Sequence, residues 1–256
     1  MSAALRTHSL GKRFGGLVAT RDVSLTLERG ARHALIGPNG AGKTTLVNLL
    51  SGVLEPSAGS IELDGRDITR LSVHQRVRRG LVRTFQISQL FDALTPLASL
   101  ALAVSVQRGG SAGAWRPLGR GDPAVVAECE RLLDHFRLVD VMSEPVASLP
   151  YGKRRLLEIA TALACAPRVL LLDEPAAGVP EGERHEIFAA IDALPPDVSV
   201  LLIEHDMDLV FSFARTVTVL VNGAVFAEGS ASAIAADARV KAVYLGEGDE
   251  AVAAHG

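Results

Sequence analysis

Apolar and polar positions recur along this chain with two different periods. Asp22–Glu28 (DVSLTLE) switches between polar and apolar at every step, as a half-buried strand does. Arg32–Leu54 (RHALIGPNGAGKTTLVNLLSGVL) reads as a short apolar strand, a glycine-rich turn and a helix with Leu46, Leu49 and Leu50 on one face. Gly59–Gly65 (GSIELDG) is a strand between glycines, and Leu81–Gln86 (LVRTFQ) a strand entering a loop. The middle of the chain changes to a helical period over residues 95–165, interrupted by the glycine-rich GGSAGAWRPLGRG. Asp122 and Pro123 suit the N-cap and first position of a helix that carries Val125, Cys129, Leu132, Leu133 and Phe136 on one face. Strands and helices then alternate: RVLLLDE, EGERHEIFAAIDAL, VSVLLIEH and DMDLVFSFA, followed by a hairpin around Asn222-Gly223. Continuous apolar strands suit a parallel sheet covered on both faces. The pattern predicts one α/β domain over residues 1–256. Its core is formed by 1–86 and 166–256, and 87–165 is a mainly helical insert.

Composition narrows the classes. The 256 residues are 48% hydrophobic and 21% charged, an ordinary globular balance. With 26 basic and 29 acidic residues the net charge is -3, and aromatics are 4%, so no nucleic-acid partner is expected. Cys129 and Cys165 make neither a disulfide framework nor a metal set and read as idle thiols. The opening MSAALRTHSL lacks a signal-peptide core, and the longest uncharged run, Ala93–Gln107, is shorter than the ~20 residues of a spanning helix. A soluble cytosolic protein able to dock on a membrane protein is expected.

Gly37–Thr45 (GPNGAGKTT) fits G-x-x-x-x-G-K-[ST], after a predicted strand and at the opening of a helix. Glycines let successive N–H groups turn inward around a phosphate, and the helix N-terminus adds favourable potential. Gly37, Pro38, Asn39, Gly40, Ala41, Gly42, Lys43, Thr44 and Thr45 are therefore candidate nucleotide-binding residues. Lys43 is expected to reach the β- and γ-phosphates, and the Thr44 hydroxyl to ligate Mg²⁺. Downstream, VLLLDEP ends a buried strand in two carboxylates, an arrangement that is costly unless a cation sits there. Asp173 is placed to bind Mg²⁺, and Glu174 to orient or deprotonate a water attacking the γ-phosphate. His205, at the tip of a neighbouring strand, is either structural or a donor to the γ-phosphate. Gln86, where a strand becomes a loop, has a solvated side chain as its plain reading.

In this order, GPNGAGKTT, TFQ, a short glycine signature, LLLDEP and EHD resemble an ABC-transporter ATP-binding cassette, over nearly the whole chain. The resemblance implies a P-loop NTPase core with a mixed sheet, N-terminal antiparallel strands and a helical subdomain insert. It implies ATP and Mg²⁺ as cofactors and Phe14 as the aromatic that stacks on adenine. Gln86 becomes the Gln-loop, counted with the catalytic residues and with Thr44 and Asp173 as metal ligands. Glu174 becomes the catalytic carboxylate and His205 the switch histidine.

Ser148–Arg155 (SLPYGKRR) stands where the family has its signature, so Tyr151, Gly152 and Lys153 are implied to face ATP held by a partner subunit. A turn, a helix start and the cations Lys153, Arg154 and Arg155 suit an anion, although Pro150 stands where the family usually has Ser. Pro180 likewise replaces the usual Asp of the D-loop. FGGLVATRDVSL, VRTFQ, LPYGKRRLLEIA, DEPAAG, LLIEHDM and VKAVYLGE together resemble ATPase subunits of branched-chain amino-acid-type importers.

That resemblance implies a subunit that dimerises on ATP, as a homo- or heterodimer. It would power transmembrane permease subunits at the cytoplasmic face of the membrane, served indirectly by a periplasmic solute-binding protein. The alternatives are the ATPase of another ABC transporter, including an exporter, or a soluble mechanical ABC ATPase. The latter needs a coiled-coil arm or DNA-binding module that the pattern lacks.

Overall fold

The computed structural model describes residues 3–84, 90–109 and 122–244. Its centre is a six-stranded sheet of order β11-β10-β4-β9-β8-β7. These strands are β4 (Arg32–Ile36), β7 (Leu81–Arg83), β8 (Val169–Asp173), β9 (Ser199–Ile203), β10 (Thr216–Val221) and β11 (Ala224–Ser230). All neighbours are parallel except β10 and β11, the two arms of the predicted hairpin. Asn222 and Gly223 both have positive φ, 49° and 76°, as that tight turn requires.

Every residue of β4, β8 and β9 is buried. Their side chains alternate between two apolar layers. Leu35, Leu171 and Leu201 point to one face, where they meet Leu46, Leu49 and Leu50 of α1 (Lys43–Ser51). Ala34, Leu170, Leu172, Val200 and Leu202 belong to the other. Each layer needs apolar residues, which explains the unbroken hydrophobic runs in the sequence.

A second, antiparallel sheet covers the α1 side. β1 (Ala3–Phe14) pairs with β2 (Leu17–Val23), β3 (Thr26–Glu28) and β5 (Ala58–Leu63), and β6 (Arg66–Asp67) closes the edge. The single strand expected over Asp22–Glu28 is thus divided. Asp22 adopts φ 52°, and the chain moves from one stretch of β1 to another. Thr7 bridges the break, donating to Val23 O and accepting from the Leu25 N–H, both at 2.8 Å. Val23, Leu25 and Leu27 all stay buried, so the alternation survives although the ladder does not.

A short helix, α2 (Val73–Arg78), carries Arg76, which is buried and donates to Leu49 O and Leu50 O at 2.7 and 2.6 Å. A cation is thereby set at the C-terminus of α1, where the helix dipole favours it. Burial nevertheless lowers the Arg76 pKa to about 10.

Between β7 and β8 the described residues are mainly helical: α3 (Pro96–Gln107), α4 (Pro123–His135) and α5 (Tyr151–Ala164). Thr95 caps α3 through the Ala98 N–H at 3.1 Å, and Asp122 caps α4 through the Ala124 N–H at 2.9 Å. Cys129, Leu132, Leu133 and Phe136 are buried as the pattern indicates, with Val125 partly so. Cys129 and Cys165 are free thiols, and burial pushes Cys129 up to about 11. The chain continues through α6 (Glu181–Asp192), α7 (Met207–Phe213) and α8 (Ala231–Ala236). Among the described residues, no helix is long and apolar enough to cross a membrane.

Candidate nucleotide site

Because β4, β7, β8 and β9 are parallel, their C-terminal ends share one edge of the sheet, where α/β folds bind ligands. Ile36 leads into the Gly37–Thr45 loop, Asp173 ends β8, and Glu204 and His205 follow β9. The candidate groups, scattered through the sequence, are gathered by strand order.

The loop is buttressed from behind. The Gly223 N–H donates to Ala41 O at 2.9 Å, and the Arg21 N–H to Gly223 O at 2.7 Å. Gly42, at φ 96°, lies so near β2 that a Cβ would stand 2.5 Å from Ala19 O, so no side chain fits. α1 opens directly after it. Lys43 Nζ donates to Gly37 O and, at 2.9 Å, to Pro38 O, so its ammonium is folded over its own loop. Thr44 is exposed beside it. Phe14 is 46% exposed at the end of β1, with Lys12 Nζ 5.2 Å from its ring centre.

Asp173 is buried and paired with Arg83, Oδ2 to Nη2 at 2.7 Å. The cation that the sequence demanded beside these carboxylates is thus supplied in part by the protein. Arg83 also donates to Asn48 Oδ1 of α1 at 2.6 Å. Asp173 and the Thr44 hydroxyl offer a small, hard donor set. No cluster of three or more His, Cys, Asp or Glu that could hold a metal occurs among the described residues. So few protein oxygens fit Mg²⁺, which keeps several waters and shares its shell with substrate phosphates.

Glu174 has φ 46°, and its N–H donates to Ile203 O at 2.9 Å. This left-handed residue ends the extended conformation of β8. Glu204 is buried and accepts from the N–H groups of Ala176 and His205 at 3.3 and 3.2 Å. Burial raises the Glu204 pKa, the two backbone donors and His205 oppose the rise, and the Glu174 charge adds to it. The His205 side chain is 69% exposed, with Nδ1 3.8 Å from Glu204 Oε2.

The signature segment departs from the expectation of outward-facing cations. Lys153 donates to Arg137 O and, at 3.1 Å, to Asp140. Arg154 pairs with Asp92. Arg155 is buried, paired with Glu158 at 2.5 Å, and donates to the carbonyls of Asp173, Glu174 and Pro175 at 3.0, 2.7 and 2.8 Å. The Tyr151 hydroxyl donates to Ala177 O at 3.1 Å. Pro150 and Pro180 stand at the N-cap positions of α5 and α6. All three cations of this segment are therefore engaged within the chain.

Gln86 lies outside the described residues. Arg83 and Asn48 were missed by sequence reasoning, and Arg155, read there as a cation suited to an anion, instead holds the turn after β8. A lone arginine in the apolar strand entering TFQ, opposite two strand-end carboxylates, was the signal available for the first.

A family model described as ABC transporter matches residues 20–177. The chain is 38% identical to the high-affinity branched-chain amino acid transport ATP-binding protein BraF of Pseudomonas aeruginosa, over 95% of this chain and 98% of that protein. It is 36% identical to the corresponding LivG protein of Escherichia coli, over the same shares. Among solved structures it resembles a nucleotide-free ATP-binding cassette from an ABC transporter, with TM-score 0.82 and 30% identity over 95% of this chain and 99% of that one. An ABC-transporter cassette in its ADP conformation matches with the same score and identity, over 96% and 99% of the two chains. This chain, with its Gly37–Thr45 loop after β4 and Asp173 and Glu174 at the end of β8, belongs to the ABC transporter family as an ATP-binding cassette.

Proposed function

We propose that the chain is the Mg²⁺-dependent ATPase subunit of an importer for branched-chain amino acids or related small solutes. The observation that carries this is the convergence of the Gly37–Thr45 loop, Asp173–Glu174 and Glu204–His205 on one sheet edge. The solute class rests on the likeness to BraF and LivG.

The loop N–H groups and the α1 N-terminus cradle the phosphates, and Lys43 exchanges Gly37 O and Pro38 O for phosphate oxygens. Phe14 offers its exposed ring to adenine. Thr44, Asp173 and Gln86 would hold Mg²⁺, which when bound neutralises phosphate charge. Glu174 orients or deprotonates the attacking water, and the exposed His205 turns to donate to the γ-phosphate. Tyr151, Gly152 and Lys153, at the start of α5, face ATP held by a second cassette through the helix N-terminus, the Lys153 ammonium staying on Arg137 O and Asp140, so ATP closes the dimer. The dimer drives transmembrane permease subunits from the cytoplasmic face, with a periplasmic solute-binding protein acting through the permease.

The test pairs Lys43→Ala with Glu174→Gln. Lys43→Ala is expected to lose ATP binding, while Glu174→Gln binds ATP, keeps the ATP dimer and stops turnover. Wild-type hydrolysis by Glu174→Gln would remove this carboxylate from the reaction. Solute uptake by the chain with its permease, across a panel of amino acids, tests the transport reading.

A further inference from the structure

We infer that Arg83 is the resident counter-ion of Asp173, a positioning residue that withholds this carboxylate from a divalent cation until nucleotide is bound. The inference rests on the reading of Asp173 as a metal ligand. The pair is enclosed, with side chains 8% and 7% exposed and Nη2 2.7 Å from Oδ2. A carboxylate buried that deeply would be costly without a partner. Arg83 meets that need from within the chain.

Its second nitrogen reaches the helix that opens from the phosphate loop. Nη1 donates to Asn48 Oδ1 at 2.6 Å and to Ser51 Oγ at 3.3 Å. One guanidinium therefore joins the carboxylate end of β8 to α1. Lys43 is held in the same manner, on the carbonyls of its own loop. Both charged groups that flank the expected phosphate position are satisfied internally. Phosphate is what would release each of them, Lys43 by attraction and Asp173 through the cation that phosphate carries.

A fixed positive charge beside a divalent-cation ligand lowers the affinity of that ligand for metal, and more steeply in a partly buried site than in water. The wild-type chain without nucleotide should thus bind a divalent cation poorly.

The experiment is titration of the full chain with Mn²⁺ followed by electron paramagnetic resonance, without nucleotide, for wild type, Arg83→Met, Arg83→Lys and Arg83→Met/Asp173→Asn. Arg83→Met is expected to tighten Mn²⁺ binding by about tenfold or more, as loss of a neighbouring charge implies. Arg83→Lys should stay near wild type, and the double variant should lose the gain. Arg83→Gln, which keeps a donor for Asn48, replaces Arg83→Met if that variant does not fold. A lower melting temperature with an unmoved Mn²⁺ curve would reduce Arg83 to a structural staple and overturn the inference, as would a gain that persists without Asp173. Asp173→Asn alone keeps the two readings apart. If it leaves the Mg²⁺ dependence of ATP binding unchanged, the metal-ligand reading fails. If it abolishes that dependence while Arg83→Met gains nothing, only the role of Arg83 fails.

Discussion

The guanidinium of Arg155 donates to the carbonyl oxygen of Glu174 at 2.7 Å, tying the second turn of α5 to the turn that carries the proposed base. Glu174 holds φ 46°, a conformation that costs a non-glycine residue about 1–2 kcal/mol. Such strain persists only where surrounding contacts impose it. Arg155 provides them, through Asp173 O and Pro175 O as well, with Glu158 balancing its charge. Arg155→Lys keeps the charge but not the planar fork. Several carbonyls then lose a donor, at about 1 kcal/mol each, for an expected loss of about 2–3 kcal/mol in stability. Turnover should fall further than ATP affinity, because the phosphate loop is untouched. Urea denaturation and steady-state kinetics check both, and an unchanged kcat would separate Arg155 from the Glu174 turn.

This tie also marks how far the sequence could be read. The Gly37–Thr45 loop and the helix after it were legible because the motif depends on spacing within one short segment. β8 and β9 were legible because two apolar layers require unbroken hydrophobic runs, and the Asn222-Gly223 hairpin because only a few residue pairs suit its turn. β1 was not read from the pattern of positions, and only the resemblance implied N-terminal antiparallel strands. Its burial departs from strict alternation where Ser9, at φ 44°, shifts the register against β5. The fates of Lys153, Arg154 and Arg155 were equally hidden, since their partners Asp140, Asp92 and the β8 turn are distant in sequence. A run of cations looks the same on paper whether it faces an anion or closes an internal network.

Glu204 makes stability depend on pH in a direction that can be stated. Its folded-state pKa is raised, first by burial. Between the ordinary glutamate value, about 4.3, and this raised value, the folded chain binds more protons than the unfolded one. Stability contributed by Glu204 is therefore lost as pH rises through that window. Glu204→Gln cannot titrate, so the stability difference between variant and wild type should move in favour of the variant as pH rises from about 4.3 toward neutrality. The change with pH is the measurement, because Gln satisfies the Ala176 and His205 N–H groups less well at every pH. A difference that stays flat across chemical denaturation curves at several pH values would contradict the shift.

Leu90 and Phe91 are neighbours with opposite surroundings. Leu90 packs against the main apolar cluster, whereas Phe91 is 65% exposed. Phe91→Asp should therefore change stability by no more than about 0.5 kcal/mol, as surface substitutions do. If this surface receives a permease helix, the same change weakens co-purification with the permease while ATP binding by the isolated chain is kept. Leu90→Asp places a charge against the core and should destabilise by about 2 kcal/mol or more. Full permease association by Phe91→Asp would remove Phe91 from the docking surface.

Gly152 tests whether the start of α5 serves ATP on a second subunit. The cations beside it are engaged within the chain, so the attraction for phosphate must come from the N-terminus of α5 and from the close approach that a glycine permits. A Cβ at Gly152 would stand 2.2 Å from Glu183 Oε2 in the same chain. Gly152→Asp alone would thus set two carboxylates together and confound repulsion within the subunit with repulsion between subunits. A Glu183→Ala background removes both the second carboxylate and the atoms in the way. In that background Gly152→Asp leaves a carboxylate facing the partner's phosphates, and at ~4 Å like charges near a protein surface repel by about 4 kcal/mol. ATP affinity of the monomer should remain within about twofold of the Glu183→Ala parent, because the Gly37–Thr45 loop is left intact. ATP-driven dimerisation, read by sizing with Glu174→Gln added to suppress turnover, should collapse. A large loss of monomer affinity would place Gly152 on its own subunit's nucleotide. An undisturbed ATP dimer would leave the α5 N-terminus with a structural role only.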